Sequence, residues 1–220
     1  MAIEEAISLG YFYIDGAEVY GSEREIGPAN KESGVARGKL FVTTKVITNI
    51  SDIPLAIDAS LEKLQLTMQI CVWAETENAK ESGKARSIGV SNFRQRELEA
   101  VLKTARIIPA INQIEYHPYL EHGDTVLLKE KRGIRNVAYD PLPPATTAKG
   151  GPLDGILAGL AKKYAVTEVE VLLRWCIDRG AIAITTSSKR SRLMGYICTL
   201  QFSLTPAEIG SISGRFSMIK

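Results

Sequence analysis

Ser87-Ile-Gly-Val-Ser-Asn-Phe-Arg-Gln-Arg-Glu-Leu-Glu-Ala-Val-Leu-Lys-Thr-Ala-Arg-Ile-Ile-Pro-Ala-Ile-Asn-Gln-Ile114 is the stretch on which the fold turns. It opens on a short apolar run at 87–91 and closes on a second at 110–114. Between them Leu98, Val101 and Leu102 recur at helical spacing. A strand, a helix and a strand in roughly thirty residues make a crossover unit, which leaves its two strands parallel. Outward from there the same alternation repeats. Residues 11–15, 41–45, 136–139 and 181–185 read as further strands, short and continuous as in a sheet covered on both faces. Ile53, Ile57, Leu61 and Leu64 form a helical stripe behind Ser51, the expected N-cap. Residues 156–164 and 169–177 form two more, and 205–212 reads as a last helix. Strict β/α alternation implies a parallel sheet, doubly wound or closed as a barrel.

The chain has 220 residues, 45% of them hydrophobic, with no shift in composition that marks a linker, so 1–220 reads as a single domain. A (β/α)8 barrel takes roughly 250 residues, and two places account for the difference. A helical segment at 3–9 precedes the first strand, so a strand is expected to be missing at the N-terminus. Between Met68 and Arg86 there is room only for a stub of strand and a short helix. Lys and Arg total 27 against 25 Asp and Glu, with no dense basic block, which speaks against nucleic acid as a partner. No apolar run approaches the ~18 residues that cross a bilayer, and Met1-Ala-Ile-Glu-Glu-Ala lacks the order of a secretory signal. Cys71, Cys176 and Cys198 are odd in number and far apart, as expected of reduced, buried thiols in a cytoplasmic protein.

Chemistry is expected at the strand ends. Asp15 closes one strand and Lys45 the next, with Tyr20 a turn or so beyond the first. Lys at the end of an apolar strand is a costly place for a lone charge, and Asp15 is its natural counter-ion. Tyr20 beside that ammonium would be a usable proton donor and acceptor. A buried Asp–Lys pair with a rim tyrosine is the structural alternative, and it stays open on these residues alone. No GxGxxG follows a strand, and Gly34-Val-Ala-Arg-Gly-Lys-Leu40 falls short of a P-loop. Gly150-Gly151 reads as a turn. His117 and His122 lack acidic or thiol partners, so no metal is expected.

Four motifs in order then carry a resemblance. Tyr11-Phe-Tyr-Ile-Asp-Gly-Ala-Glu-Val-Tyr20, Lys39-Leu-Phe-Val-Thr-Thr-Lys45, Gly83-Lys-Ala-Arg-Ser-Ile-Gly-Val-Ser-Asn-Phe93 and Asn112-Gln-Ile-Glu-Tyr-His-Pro118 are similar to the strand signatures of the aldo-keto reductase family. The resemblance covers nearly the whole chain. It implies a TIM (β/α)8-type barrel, here incomplete. It also implies an NADP(H)-dependent reductase that turns an aldehyde or ketone, a small-molecule carbonyl, into an alcohol. By that analogy Tyr20 protonates the carbonyl oxygen, with Lys45 and Asp15 tuning it. Ser91, Asn92 and Gln113 hold the nicotinamide carboxamide, and Tyr139 stacks on its ring. Ser187 and Arg192 meet the phosphates.

The departures are as specific as the matches. The family's hairpin and first strand are expected to be missing. The fourth strand and its loop are shortened, Val72 running straight into Trp73, so the tetrad His at that strand's end is lost. Thr186 stands where the family has the Lys that meets the 2′-phosphate, and Gly195-Tyr196 where it has a Glu-Asn pair near the adenine. Asp140 takes the place of a Ser facing the pyrophosphate, where a carboxylate repels. NADP(H) binding is therefore expected to be weakened; either a partner or an oligomer covers the exposed strand edges, or the barrel closes with fewer strands. Three readings follow. The first is an impaired reductase, the second a non-redox acid–base enzyme (isomerase, dehydratase or cyclase) on the same scaffold. The third is a catalytically inactive truncated protein.

Overall fold

The computed structural model describes residues 2–46, 51–66, 69–72, 77–120, 129 and 131–214. It divides into two compact units, Met1–Asn112 and Gln113–Lys220. The division falls inside one strand.

The first unit alternates as the apolar pattern requires. Helix α1 (Ala2–Ser8) leads to β1 (Tyr13–Asp15), α2 (Glu23–Glu32), β2 (Phe41–Lys45) and α3 (Ile53–Leu64). Then come β3 (Gln69–Val72), α4 (Glu77–Glu81), β4 (Ala85–Ser91) and α5 (Gln95–Thr104). β1 to β4 lie side by side in chain order and every pair is parallel. The register puts Asp15 opposite Thr43 and Lys45 opposite Val72. Val42, Thr43, Thr44 and Lys45 are all buried, so β2 has no solvent face, as its continuous apolar reading requires. Two clusters pack the unit. Ile7, Ile14, Ile26, Val42 and Leu64 form one, and Val46, Ile57, Leu61, Ala79 and Ile88 the other. The stub of strand and short helix expected at 68–86 are β3, four residues, and α4, five residues.

One terminus differs from expectation. The N-cap of α3 is Asp52, not Ser51: its carboxylate accepts from the Leu55 N–H at 3.1 Å, with Pro at the start of the helix fixing the entry. Asp is one residue nearer the first helical position, and it is as good a cap as Ser.

The second unit continues with β5 (Ile111–Glu115), β6 (Arg135–Tyr139), α6 (Asp154–Tyr164), α7 (Glu168–Asp178), β7 (Ile182–Ala183), α8 (Arg190–Cys198) and α9 (Pro206–Ser213). β6 and β7 are parallel. β7 is shorter than the 181–185 run. Its bonding to β6 ends one residue further on, with the Ile184 N–H on the Ala138 carbonyl at 2.8 Å, before the chain turns toward α8. The core here is one cluster that includes Ile114, Leu157, Leu172, Trp175 and Ile212. Tyr116 stacks on Trp175, and Arg179 lies over the same indole while donating to the Tyr116 hydroxyl at 2.7 Å. The stretch 141–151 is a 3-10 turn, Pro143–Ala145, followed by turns, as its Pro and Gly content predicts. Cys176 is fully buried, and burial pushes its thiol up to about 12. Cys198 is only half-buried, because it ends a helix whose outer face is wet. Among the described residues no helix is long and apolar enough to cross a membrane.

Candidate active site

Two short strands of the first unit end on opposite charges. β1 delivers Asp15 and β2 delivers Lys45, and the Lys45 ammonium donates to Asp15 Oδ2 at 2.6 Å and to the Gly16 carbonyl at 2.7 Å. The Lys45 side chain is 4% exposed and that of Asp15 11%, so the pair is desolvated and hydrogen-bonded at once. Gly16 packs closely here. A Cβ there would stand 2.8 Å from Ile26 Cδ1 and 3.3 Å from the Thr43 carbonyl, so a larger residue would need small shifts of both. The Gly16 carbonyl is turned to the amine. The resembling motif carries Thr at this position, so Gly16 is a local departure.

Tyr20 ends a one-turn 3-10 helix, Glu18–Tyr20, directly after β1. Its ring centroid lies 5.1 Å from the Lys45 ammonium, and the residue is 62% exposed. The other phenol of this region, Tyr13, takes no such place. Burial pushes it up to about 12, opposed by the hydroxyl bond from Thr43 and aided by the charge of Asp15. One tyrosine is wet and beside a cation. The other is held protonated.

β4 ends on Ser91, 5% exposed, and Asn92, which has a left-handed φ of 59° and is exposed. The turn beyond is pinned by Asn112. That amide, wholly buried, donates to the Phe93 carbonyl at 2.7 Å and accepts from the Phe93 N–H at 3.4 Å. Asn112 was read only as part of a motif. A buried amide inside an apolar strand is the signal that marks it as a support for Ser91 and Asn92. Glu23 escaped notice for want of such a signal. It is 2% exposed and accepts from Thr44 at 2.7 Å and Lys63 at 3.3 Å, tying α2 and α3 to the strand that carries Lys45.

In the second unit Gln113 is 2% exposed on β5, and Tyr139 ends β6 half-buried. The Tyr116 N–H bonds the Tyr139 carbonyl at 3.2 Å, which fixes that end. Asp140 follows with φ 47° and is exposed. Asp tolerates this left-handed backbone better than most side chains, and the turn carries its charge to solvent. Ser187 caps the turn before α8, accepting from the Lys189 N–H at 3.1 Å. Arg192, on the first turn of α8, lines a cleft of about 610 Å³ with Thr167, Val169, Glu170, Gly195 and Tyr196. Lys45 is thus in contact with both Asp15 and Tyr20, Ser91 and Asn92 share one strand end, and Ser187 and Arg192 lie before and after the start of α8. The readings of Trp73 and His122 lie outside the described residues. Among the described residues, no group of three or more His, Cys, Asp or Glu is arranged to hold a metal ion.

Comparison with known proteins agrees with this layout. The sequence model of the Aldo/keto reductase family matches residues 1–214. An NAD/NADP-dependent indole-3-acetaldehyde reductase of Schizosaccharomyces pombe is 36% identical, over 96% of this chain and 81% of its own. A glyoxal reductase of Bacillus subtilis is 33% identical, over 96% and 81%. Among solved structures, an aldo-keto reductase from a Medee basin deep-sea metagenome library superposes with a TM-score of 0.91 at 30% identity, covering 100% of this chain and 86% of that one. A Bombyx mori aldo-keto reductase in complex with NADP gives 0.90 at 32% identity, covering 97% and 81%. Matched along its length in both sequence and structure, the chain belongs to the aldo-keto reductase family, a family of oxidoreductases on the TIM (β/α)8 barrel.

Proposed function

We propose that this chain is an NADP(H)-dependent reductase of small aldehydes or ketones, slowed by the loss of the tetrad His. The observation that carries the reading is the Lys45 ammonium, fixed between a buried carboxylate and the ring of an exposed tyrosine. Hydride for the carbonyl carbon is the chemistry that the nicotinamide supplies when bound. Tyr20 gives its proton to the carbonyl oxygen, and the Lys45 ammonium stabilises the negative charge left on the phenol oxygen. Asp15 and the Gly16 carbonyl hold that ammonium in place, so little rearranges as charge develops. Exposure of Tyr20 lets solvent return its proton. Aldehyde, reduced nicotinamide and one proton then balance to alcohol and oxidised nicotinamide.

The donor set fits a dinucleotide. Ser91, Asn92 and Gln113 offer amide and hydroxyl groups for a carboxamide, and Tyr139 an aromatic face. Ser187 in the turn before a helix and Arg192 on its first turn stand where an anion is favoured. The outward turn of Asp140 removes a repulsion from that end, while Thr186 in the lysine position keeps NADP(H) binding weak. A missing oxyanion donor costs about 10²–10³ in rate, which leaves a measurable enzyme. The same reading carries a cytoplasmic location, a single domain, and a second copy of the chain over exposed strand edges.

The test is NADPH oxidation by the purified chain with glyoxal and indole-3-acetaldehyde, alongside NADPH titration by fluorescence. Tyr20→Phe is expected to lower kcat by about 10²–10⁴ with NADPH affinity and melting temperature unchanged, since the hydroxyl sits at an exposed rim. A chain that neither oxidises NADPH nor shifts its fluorescence sinks the reading.

A further inference from the structure

Tyr20 is 62% exposed, so packing does little to fix it, yet its ring stands beside the Lys45 ammonium. The segment that carries it is fastened to β2 on both sides. Before Tyr20, the Gly16 N–H donates to the Thr43 carbonyl at 2.8 Å. After it, Glu23, three residues beyond, accepts from the Thr44 hydroxyl at 2.7 Å. The two anchor points are consecutive residues, and Lys45 is the next on the same strand. Successive strand residues point to opposite faces. Thr44 therefore reaches back to α2, while Lys45 reaches Asp15 and the tyrosine ring.

The second fastening is a costly kind. Glu23 is 2% exposed and Thr44 1%, and the carboxylate's other partner is the Lys63 ammonium at 3.3 Å. A carboxylate taken out of water loses more than an apolar side chain of the same size would. Shape alone could hold α2 in place. Ile26 is buried on the same helix, and Gly27 lies so near the end of α3 that a Cβ would stand 2.6 Å from the Lys63 carbonyl. What a short hydrogen bond adds to packing is a set distance and direction. α2 is thus a firm platform, and Glu23 on its first turn sets the residues just before it against β2.

We infer that Glu23 is a positioning residue for the reaction: by accepting from Thr44 it closes the 16–23 segment onto β2 and holds the Tyr20 ring at the Lys45 ammonium. The inference rests on the reductase reading above, in which that pair delivers the proton. Thr44→Val removes the hydroxyl and should lower kcat about 10–100-fold, with nucleotide KM unchanged. Thr44→Ser puts a hydroxyl back and should restore the rate. Glu23→Met combined with Thr44→Val exchanges the bond for an apolar contact. It should melt at least as high as the wild type and stay slow, whereas a link that served only the fold would regain its rate with its stability. Full kcat in that double variant overturns the inference. Loss of cooperative unfolding in both T44V and the double variant overturns it too, since the link would then serve the fold. Nuclear magnetic resonance reads the same geometry without turnover. The Tyr20 ring current should displace the Lys45 ε-methylene resonance in the wild type and in T44S, and much less in T44V, with Tyr20→Ala as the zero. A displacement absent from the wild type, or unchanged in T44V, overturns the inference alone. The expected displacements in a chain that leaves NADPH unoxidised overturn the reductase reading and leave the clamp standing.

Discussion

The acid and base of the first unit's candidate site and those that line the second unit's cleft are built differently. Lys45 and Asp15 sit on adjacent strand ends, nearly without exposure, at 2.6 Å. Arg192 and Glu170 sit on two helices across a cleft, the arginine exposed and the acid buried against its own cap. Strand ends in a parallel sheet are fixed by their neighbours' hydrogen bonds, so a charge there has one position. Arg192, exposed on the first turn of its helix, has a solvent route, while Glu170 is held by its own cap. The first kind of pair tolerates little change without unfolding. The second, with its arginine in solvent, is expected to accept a substitution without loss of the fold.

The sharpest way to break that contrast is Lys45→Met against Arg192→Met. Removing the ammonium strips Asp15 of its ion-pair partner in a desolvated seat. Breaking a buried pair from one side costs about 3–5 kcal/mol, which denaturant melts would register as a large fall in midpoint, with activity lost. Asp15→Asn together with Lys45→Met should recover part of that stability and none of the activity. R192M should melt like the wild type and weaken only nucleotide binding. Equal stability losses in the two methionine variants would erase the distinction.

This contrast also explains what could be read in the sequence. The places of Asp15, Lys45, Ser91, Asn92 and Tyr139 were legible because each closes or follows a short apolar run. Tyr20 was legible as a phenol shortly after such an end, and Gln113 as a polar residue within one. Glu170 was not. Thr-x-x-Glu reads as a capping box, and nothing along the chain says that the second carboxylate oxygen faces a glycine some 25 residues on. Asp52 was passed over for Ser51 because two good caps stand side by side and only the helix's first turn chooses. Asn112 lay inside a motif of mostly buried positions, and only its two bonds to the Phe93 backbone set it apart.

Asn112 offers the next test. Asn112→Ala removes both bonds to the Phe93 backbone from a fully buried site. Loss of such bonds costs about 1–3 kcal/mol. Because the turn it pins carries Ser91 and Asn92, cofactor KM should rise more than kcat falls. A stability loss with both constants unmoved would make Asn112 structural only and leave the carboxamide reading of Ser91 and Asn92 without its support.

The smallest effect lies on α9 in the second unit. Glu208 on α9 accepts from Lys163 at 2.6 Å, from Tyr164 at 2.8 Å and from both the backbone and the hydroxyl of Thr205. Burial alone would raise its carboxyl. The four bonds outweigh burial and hold it at about 2. A carboxylate depressed on folding stabilises fully above its unfolded value of about 4.3, and that contribution drains as pH falls toward 2. The wild type should therefore lose about 2–4 °C more of its melting temperature between pH 7 and pH 3 than Glu208→Gln does, the shift that roughly 1 kcal/mol produces in a chain of this size. Equal acid losses in both proteins would mean that α9 is held by Ile212 and its apolar neighbours, and that the bonds to Lys163 and Tyr164 merely decorate the helix. The view that helix-borne charges there are adjustable without cost would then reach to α9 as well.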